Sequence, residues 1–278
     1  MIAAVFALLT VAHAAEPELW ARELVGTGGW PSGLLQDAKM QARFPGHRSK
    51  SILFQDTYTG IGGRVAVSPA FLEVGPRFSW APIDVFDVDV QASWVGFAGP
   101  FAPISFDTID VGRVESARNQ RSGEGFPLSS LQLSVSPTLK AQVGPIVAFD
   151  TMTVTRIVAH QPDDVAAPFW YEPLRDMILA WEDTTIEHNG TLAVELLAPG
   201  DGPELMVGVA GRSRAAQVSK DRFANVGPSV VWRPGSSLRT PQIIAQALFY
   251  VQDPERVGGM PNLNLAATWV MHKPLREL

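Results

Sequence analysis

The sequence predicts an all-β fold, an antiparallel up-and-down transmembrane β-barrel of about 12 strands. Three observations lead to this fold class. Apolar and polar residues alternate with a period of two over most of the chain after residue 30. Turn signals rich in glycine, proline and asparagine separate the alternating segments. Aromatic residues recur near the ends of these segments, where the two interfaces of a membrane would lie.

The composition is that of a turn-rich protein with ample material for a core. Of the 278 residues, 46% are hydrophobic and 18% are charged, and 24 Gly and 22 Pro are spread along the chain. The formal net charge is −6 and the basic residues are scattered, so we expect no nucleic-acid partner. Cysteine is absent, which is typical of a large closed sheet and not of a small disulfide scaffold.

Residues 1–14 predict a signal peptide. An apolar run from Ile2 to Val11 is followed by Ala12-His13-Ala14, a small-x-small pattern of the kind that precedes cleavage. No Lys or Arg precedes the run, and a buried N-terminal helix or strand is the alternative interpretation. We therefore expect an exported chain whose residues 15–278 form a single barrel domain. Its N-terminal segment, residues 15–50, adds a strand because residues 34–44 also alternate.

The positions of the strands follow from the alternation. From Phe86 to Trp94, apolar side chains occupy the even positions, whereas Asp87 and Asp89 occupy odd positions. The dipeptide Asn189-Gly190 predicts a two-residue hairpin turn. The predicted strands are residues 52–67, 70–81, 84–97, 103–114, 128–142, 145–159, 174–188, 191–198, 204–217, 222–233, 241–252 and 261–272.

Strand length favours a membrane barrel over a soluble sandwich, although both give the same alternation. Many predicted strands reach the roughly nine to eleven residues of a tilted transmembrane strand. Strands of soluble folds are typically about five or six residues long. Lysine is also scarce, and the strands lack the dense charge of a soluble surface. A soluble periplasmic or secreted β-sandwich that binds a ligand is the alternative.

Taken together, the export signal, the missing cysteine, the even strand number and the aromatic positions resemble those of a bacterial outer-membrane β-barrel. The resemblance covers nearly all of the mature chain and is one of architecture, not of a signature motif. It implies a location in the bacterial outer membrane, contact with outer-membrane lipid, and insertion by the barrel-assembly machinery. The chain departs from the pattern at its end, where Lys273-Pro274 follows the last predicted strand and no terminal aromatic closes it.

The alternation assigns side chains to two faces of the predicted barrel. Polar side chains face the lumen, where ladders of opposite charge can rigidify a barrel or tune which small solutes pass. Aromatic side chains form a girdle on the lipid-facing side. The lumen-facing candidates are Arg77, Asp87, Asp89, Gln91, Glu204, Arg212, Arg214 and Arg233, and the girdle candidates are Trp80, Trp94, Phe149, Trp232 and Trp269.

The sequence offers no set of residues for catalysis. Outer-membrane phospholipases and lipid A deacylases, which share this architecture, use a His-x-Ser pair on the barrel wall. His47-Arg48-Ser49 matches that spacing but lies in a polar connection, and His188-Asn189-Gly190 has no serine two residues after the histidine. We also find neither a phosphate loop nor a His/Cys cluster with metal-ligand spacing, so no metal and no cofactor are expected.

The predicted function is therefore that of a passive, porin-like channel or a structural envelope protein, without catalysis. A soluble binding protein and an outer-membrane lipid hydrolase are the alternatives. The hydrolase would need a convergent His/Ser or carboxylate pair on the outer wall.

A recurring Val-Gly-Pro tripeptide raises a structural question. It occurs at residues 74–76, 143–145 and 226–228, each time followed four residues after the proline by an aromatic. Proline removes a donor from the β-ladder, so we expect a bulge or a strand start at each of these prolines. The glycines fall on the lumen parity, where a missing side chain leaves room.

Overall fold

Twelve long antiparallel strands form a closed barrel, which confirms the predicted fold class and strand number. The computed structural model describes residues 16–28, 33–46, 57–98, 102–107, 125–197, 203–235, 240–252 and 261–274. The predicted signal peptide, residues 1–14, and His47-Arg48-Ser49 lie outside these residues. The barrel strands are β1 (Glu18–Gly28), β2 (Leu34–Pro45), β3 (Tyr58–Val67), β4 (Phe71–Ile83), β5 (Phe86–Phe97), β7 (Leu128–Val143), β8 (Ile146–Ala159), β11 (Glu182–Leu197), β12 (Glu204–Ala216), β13 (Arg222–Arg233), β14 (Gln242–Gln252) and β15 (Asn262–Pro274).

Strands that follow one another in the barrel wall pair side by side, and β1 closes the barrel by pairing with β15. The start of β1 and the end of β15 therefore meet at one end, which we call the termini end. The opposite end, the loop end, carries the two long connections, residues 98–127 and 160–181. Short turns such as Asp84-Val85 and Gly144-Pro145 lie at the termini end.

Three shorter strands lie within the long connections of the loop end. They are β6 (Ser105–Phe106), β9 (Phe169–Glu172) and β10 (Met177–Ala180), and they pair in the order β10-β9-β6. We call residues 169–180 the plug, because its side chains pack against the inner side of the wall. Trp170, Met177 and Leu179 are fully buried in one apolar cluster with lumen-side residues of the wall such as Phe97 and Ile157.

The predicted list of strands contains two strands too many, and these are offset by two strands of the N-terminal segment. Residues 103–114 supply no barrel strand among the described residues, since only Ser105–Phe106 pairs, and it belongs to the three-stranded sheet. The predicted strands 174–188 and 191–198 are largely one strand, β11, and Asn189-Gly190 lies in its middle. The N-terminal segment adds β1 and β2, so the wall still has twelve strands.

The two faces of the wall differ sharply in chemistry. Outward side chains are apolar and exposed, as in Leu131, Leu133 and Val209. Inward side chains are mostly polar and buried, as in Gln41 and Glu73. A soluble sandwich would bury its apolar parity between two sheets, whereas this closed wall presents that parity outward. The soluble β-sandwich alternative is therefore wrong. In the described part of the chain, no helix is long and apolar enough to cross a membrane.

The Val-Gly-Pro repeats adopt two different structures. Gly144 has φ of 57° and forms the hairpin turn with Pro145 before β8. At Pro76 and Pro228 the expected bulge is absent, because pairing with the neighbouring strand passes over both Gly-Pro pairs without a change of register. The glycines explain this geometry: a Cβ on Gly75 would lie 2.0 Å from the carbonyl oxygen of Ala92. The neighbouring strand therefore approaches too closely for any side chain at that position.

Candidate functional site

A buried charge network joins the plug to the middle of the lumen. Arg175 donates from Nε to Glu187 on β11 over 2.8 Å and from Nη2 to Gln132 on β7 over 3.0 Å. Its Nη1 pairs with Glu172 of the plug at 3.0 Å. Arg214 of β12 reaches Glu187 from the other side, at 2.8 Å. Burial raises the pKa of Glu172 above its usual range, and the positive charge of Arg175 opposes this shift.

The backbone of the plug is also held by the wall and by the turn between β12 and β13. The backbone N–H of Ile178 donates to Asp221 over 2.8 Å, and the Arg214 guanidinium donates to the carbonyl oxygen of Arg175. Tyr171 donates its hydroxyl to Asp176 within the plug over 2.7 Å. These contacts, together with the apolar cluster around Trp170, fill the lumen at the loop end.

A second polar network lines the lumen on the N-terminal strands. Arg64 of β3 bridges Asp37 on β2, at 2.7 Å, and Glu73 on β4, at 3.1 Å. Gln91 and Ser93 of β5 both donate to the same oxygen of Glu73, at 2.7 and 3.0 Å. The network therefore spans four adjacent strands and rigidifies this part of the wall.

The residues predicted to face the lumen all lie on the inward parity of their strands, and most of them pair. Arg77 pairs with Asp89 at 2.6 Å, and Arg233 with Glu204 at 3.0 Å. Arg212 donates to Asn189 over 2.9 Å. The remaining pairs are Asp87 with Lys140, Gln91 with Glu73 and Arg214 with Glu187.

The tryptophans predicted for the girdle lie on the outward parity. Trp80 and Trp232 are near the termini end, Trp94 is near the loop end, and Trp269 is in the middle of β15, opposite Glu23 of β1. Phe149 departs from the prediction. Phe149 stands directly opposite Lys140 of β7 and Thr191 of β11. It alternates in step with Thr155, whose side chain is buried inside the barrel, so Phe149 also lies on the lumen side of β8. The prediction failed there because the preceding Gly144-Pro145 is a turn, so the repeat does not continue as one strand.

One group of polar side chains lies on the opposite, outward face. Nδ1 of His188 on β11 is 3.8 Å from Oδ2 of Asp150 on β8, and both side chains are about half exposed, at 48% and 54%. Ser213 on β12 is the direct cross-strand neighbour of His188. Sequence reasoning missed this group because Asn189-Gly190 suggested a turn. The alternation itself could have revealed the group, because His188 occupies the same even positions as the apolar Ile186 and Leu192.

No cluster of three or more His, Asp or Glu side chains that could hold a metal ion occurs among the residues that the structure describes. Several buried polar atoms on the lumen side lack a protein partner, including Nη1 of Arg77, Oδ1 of Asp89 and the side-chain amide of Asn225. Such groups are usually satisfied by water, so the polar part of the lumen is suited to hold ordered water.

Comparison with known proteins adds likeness of overall shape only. No protein-family model matches the chain, and no curated protein matches it either. It is similar to the beta domain of the Bordetella autotransporter BrkA, with a TM-score of 0.46 and 10% identity over 94% of this chain and 99% of that one. It is also similar to LpxR from Salmonella typhimurium, with a TM-score of 0.41 and 8% identity over 91% and 99%. The NanC porin gives a TM-score of 0.40 and 8% identity, again over 91% and 99%.

The described residues form a transmembrane β-barrel of the outer-membrane type. This assignment follows from its own geometry: a closed antiparallel wall, an apolar outward face with tryptophans near both ends, and a polar lumen.

Proposed function

We propose that the protein is a passive channel for small solutes that the plug closes at rest. The observation that carries this proposal is the division of the lumen into two regions. Polar and charged side chains line it from the termini end to the level of Arg175, and the plug with its apolar cluster fills it at the loop end. Longer connections of such barrels lie outside the cell, so the plug would close the outer mouth.

The charge pairs support a channel that discriminates between solutes. Arg233 with Glu204 at the termini end and Arg77 with Asp89 closer to the middle of the wall place both signs of charge on the lumen side. Rings of charged side chains set which solutes enter a pore. A dry, apolar interior would instead favour a purely structural barrel.

Conductance of the purified protein in planar bilayers tests this proposal. We expect the native barrel to show rare, small openings, and the Arg175→Ala variant to open at least about ten times more often because its plug is released. Arg156→Ala, which removes an exposed ion pair on the outward face, is the matched control and should behave as the native protein. A folded Arg175→Ala barrel that does not conduct would overturn the channel and leave a structural role.

A further inference from the structure

We propose that Asp150, His188 and Ser213 form a nucleophilic site on the outer wall that cleaves acyl esters of membrane lipids. This surface is separate from the lumen, so the proposal does not rest on the channel. Ionisable side chains that face a membrane are costly and mark functional sites. Here the acidic and basic members, Asp150 and His188, are within ion-pair distance of each other.

The placement on three neighbouring strands brings the groups together. His188 stands directly opposite Ser213 in the β11–β12 ladder. Directly opposite residues on one face have Cβ atoms about 4.5–5.5 Å apart, within reach of a hydrogen bond between the two side chains. Asp150 is the direct partner of Gly190, two residues further along β11, and so lies diagonally from His188 on the same face.

The histidine faces the carboxylate with the correct nitrogen. Nδ1 of His188 lies 3.8 Å from Asp150, so Nε2 is turned away from the carboxylate and is available as a base. A carboxylate at Nδ1 orients the ring and stabilises the imidazolium when Nε2 accepts a proton. Separations somewhat longer than a hydrogen bond are common in the absence of substrate.

A groove beside these groups has the chemistry of an acyl-chain site. It has a volume of about 650 Å³ and is lined by Asp150 and by outward residues of four strands, among them Leu139, Ala148, Leu192 and Val209. Lys140, Phe149 and Thr191 of the lumen parity also border it, whereas His188 and Ser213 lie beside its lining. Gly190 and Gly211 also line it and add no side chain. An acyl chain in this groove would bring its ester bond near Asp150 and, across Gly190, towards His188.

The chemical step is a two-stage acyl transfer to water. Oγ of Ser213 attacks the ester carbonyl carbon as Nε2 of His188 takes its proton. The C–O bond to the lipid alcohol breaks, and His188 gives the proton to that alcohol, which leaves as the lyso-lipid. His188 then takes a proton from water, whose oxygen attacks the acyl-serine, and the fatty acid leaves as the proton returns to Ser213. In this scheme Ser213 and His188 are catalytic residues, and Asp150 is a positioning residue.

The test measures fatty-acid release by the purified, folded full chain in detergent mixed micelles. One arm contains phosphatidylethanolamine and the other lipid A, which distinguishes the two sources of the acyl ester. We expect release in at least one arm, and a loss of about 10³-fold in Ser213→Ala and in His188→Ala. Ser229→Ala, a buried serine on the lumen side of β13, is the matched control and should keep native activity.

Two further readouts separate a catalytic site from a structural one. A serine-directed phosphonate should label Ser213 in the native protein and not in His188→Ala. Asp150→Asn should lower kcat with little change in KM, and Asp150→Glu should restore part of it. Heat-modifiable migration on detergent gels verifies that each variant is folded. A folded barrel that releases no fatty acid in either arm, or a Ser213→Ala variant with native activity, would overturn the proposal.

The groove predicts that activity depends on the length of the acyl chain. A Cβ on Gly211 would have its nearest neighbour at 3.7 Å, so a side chain fits there without disturbing the wall. Gly211→Leu would fill the groove and should abolish release from long-chain esters while sparing an acetyl or butyryl ester. Equal loss on both ester lengths would contradict the assignment of the groove.

Discussion

The Arg175 guanidinium of the plug donates from Nε to Oε1 of Glu187 on the barrel wall over 2.8 Å, and both side chains are buried. Arg175 also bonds Glu172 and Gln132, so this one side chain links the plug to two separate wall strands. Removing one partner of a buried ion pair leaves an uncompensated charge in a low-dielectric environment. The attachment of the plug therefore depends on this side chain more than on any exposed pair.

We predict that Arg175→Ala weakens the attachment of the plug by about 3–5 kcal/mol. The measurement is hydrogen exchange of residues 169–180, which should become fast while the barrel strands stay protected. Arg156→Ala removes an exposed pair with Glu182 and should change stability by no more than about 1 kcal/mol. Unchanged protection of the plug in Arg175→Ala would show that the apolar cluster around Trp170 holds it alone.

Gly75→Ala should destabilise the barrel by more than about 2 kcal/mol, because the new Cβ would lie 2.0 Å from the carbonyl oxygen of Ala92. Gly63→Ala is the matched control on the neighbouring strand, since its Cβ would have its nearest contact at 3.5 Å. Denaturant unfolding of the two variants in detergent compares them directly. Equal unfolding midpoints for the two variants would mean that β4 and β5 move apart to accommodate the new Cβ without a loss of stability.

Asp183 organises the start of β11 and should be sensitive to loss of its charge. Its carboxylate accepts from the backbone N–H groups of Thr184, Val218 and Ser219, at 2.7, 2.9 and 3.0 Å, and from that of Ala180 at 3.2 Å. Asp183→Asn replaces one acceptor oxygen by a donor that faces other donors, so we expect a loss of about 1–3 kcal/mol. The local readout is faster hydrogen exchange of residues 217–221, and unchanged exchange there would refute the role.

Adjacent positions on β7 should respond in opposite ways to a charge. Val135 is exposed on the outward face, and Val135→Lys should cost about 2–4 kcal/mol near the middle of the membrane. Ser136 is on the lumen side, opposite Asp89, and Ser136→Lys should be tolerated. Refolding into lipid vesicles, followed by unfolding in urea, measures both. A similar loss of stability in Val135→Lys and Ser136→Lys would contradict the assignment of Val135 to the outward face and Ser136 to the lumen face.

The alternation could be read from the sequence because it reflects a local property of the backbone. Successive side chains of a strand point to opposite faces, so Asp87 and Asp89 had to share a face wherever the strand lay. The same reasoning failed at Asn189-Gly190, whose intrinsic preference is for a tight turn. In the barrel, β8 and β12 pair with β11 on both sides along this stretch, and the ladders override the local preference.

The sequence by itself therefore determined the polarity of the side chains on each face and the class of fold, an all-β wall with an apolar side and a polar side. What the tertiary structure decided is which residues meet. His188, Asp150 and Ser213 are separated by at least 25 residues along the chain and are adjacent only because β8, β11 and β12 pair in one register. The plug likewise depends on contacts between distant segments. Such contacts arise from the pairing and register of segments that are distant in sequence, which no local pattern encodes.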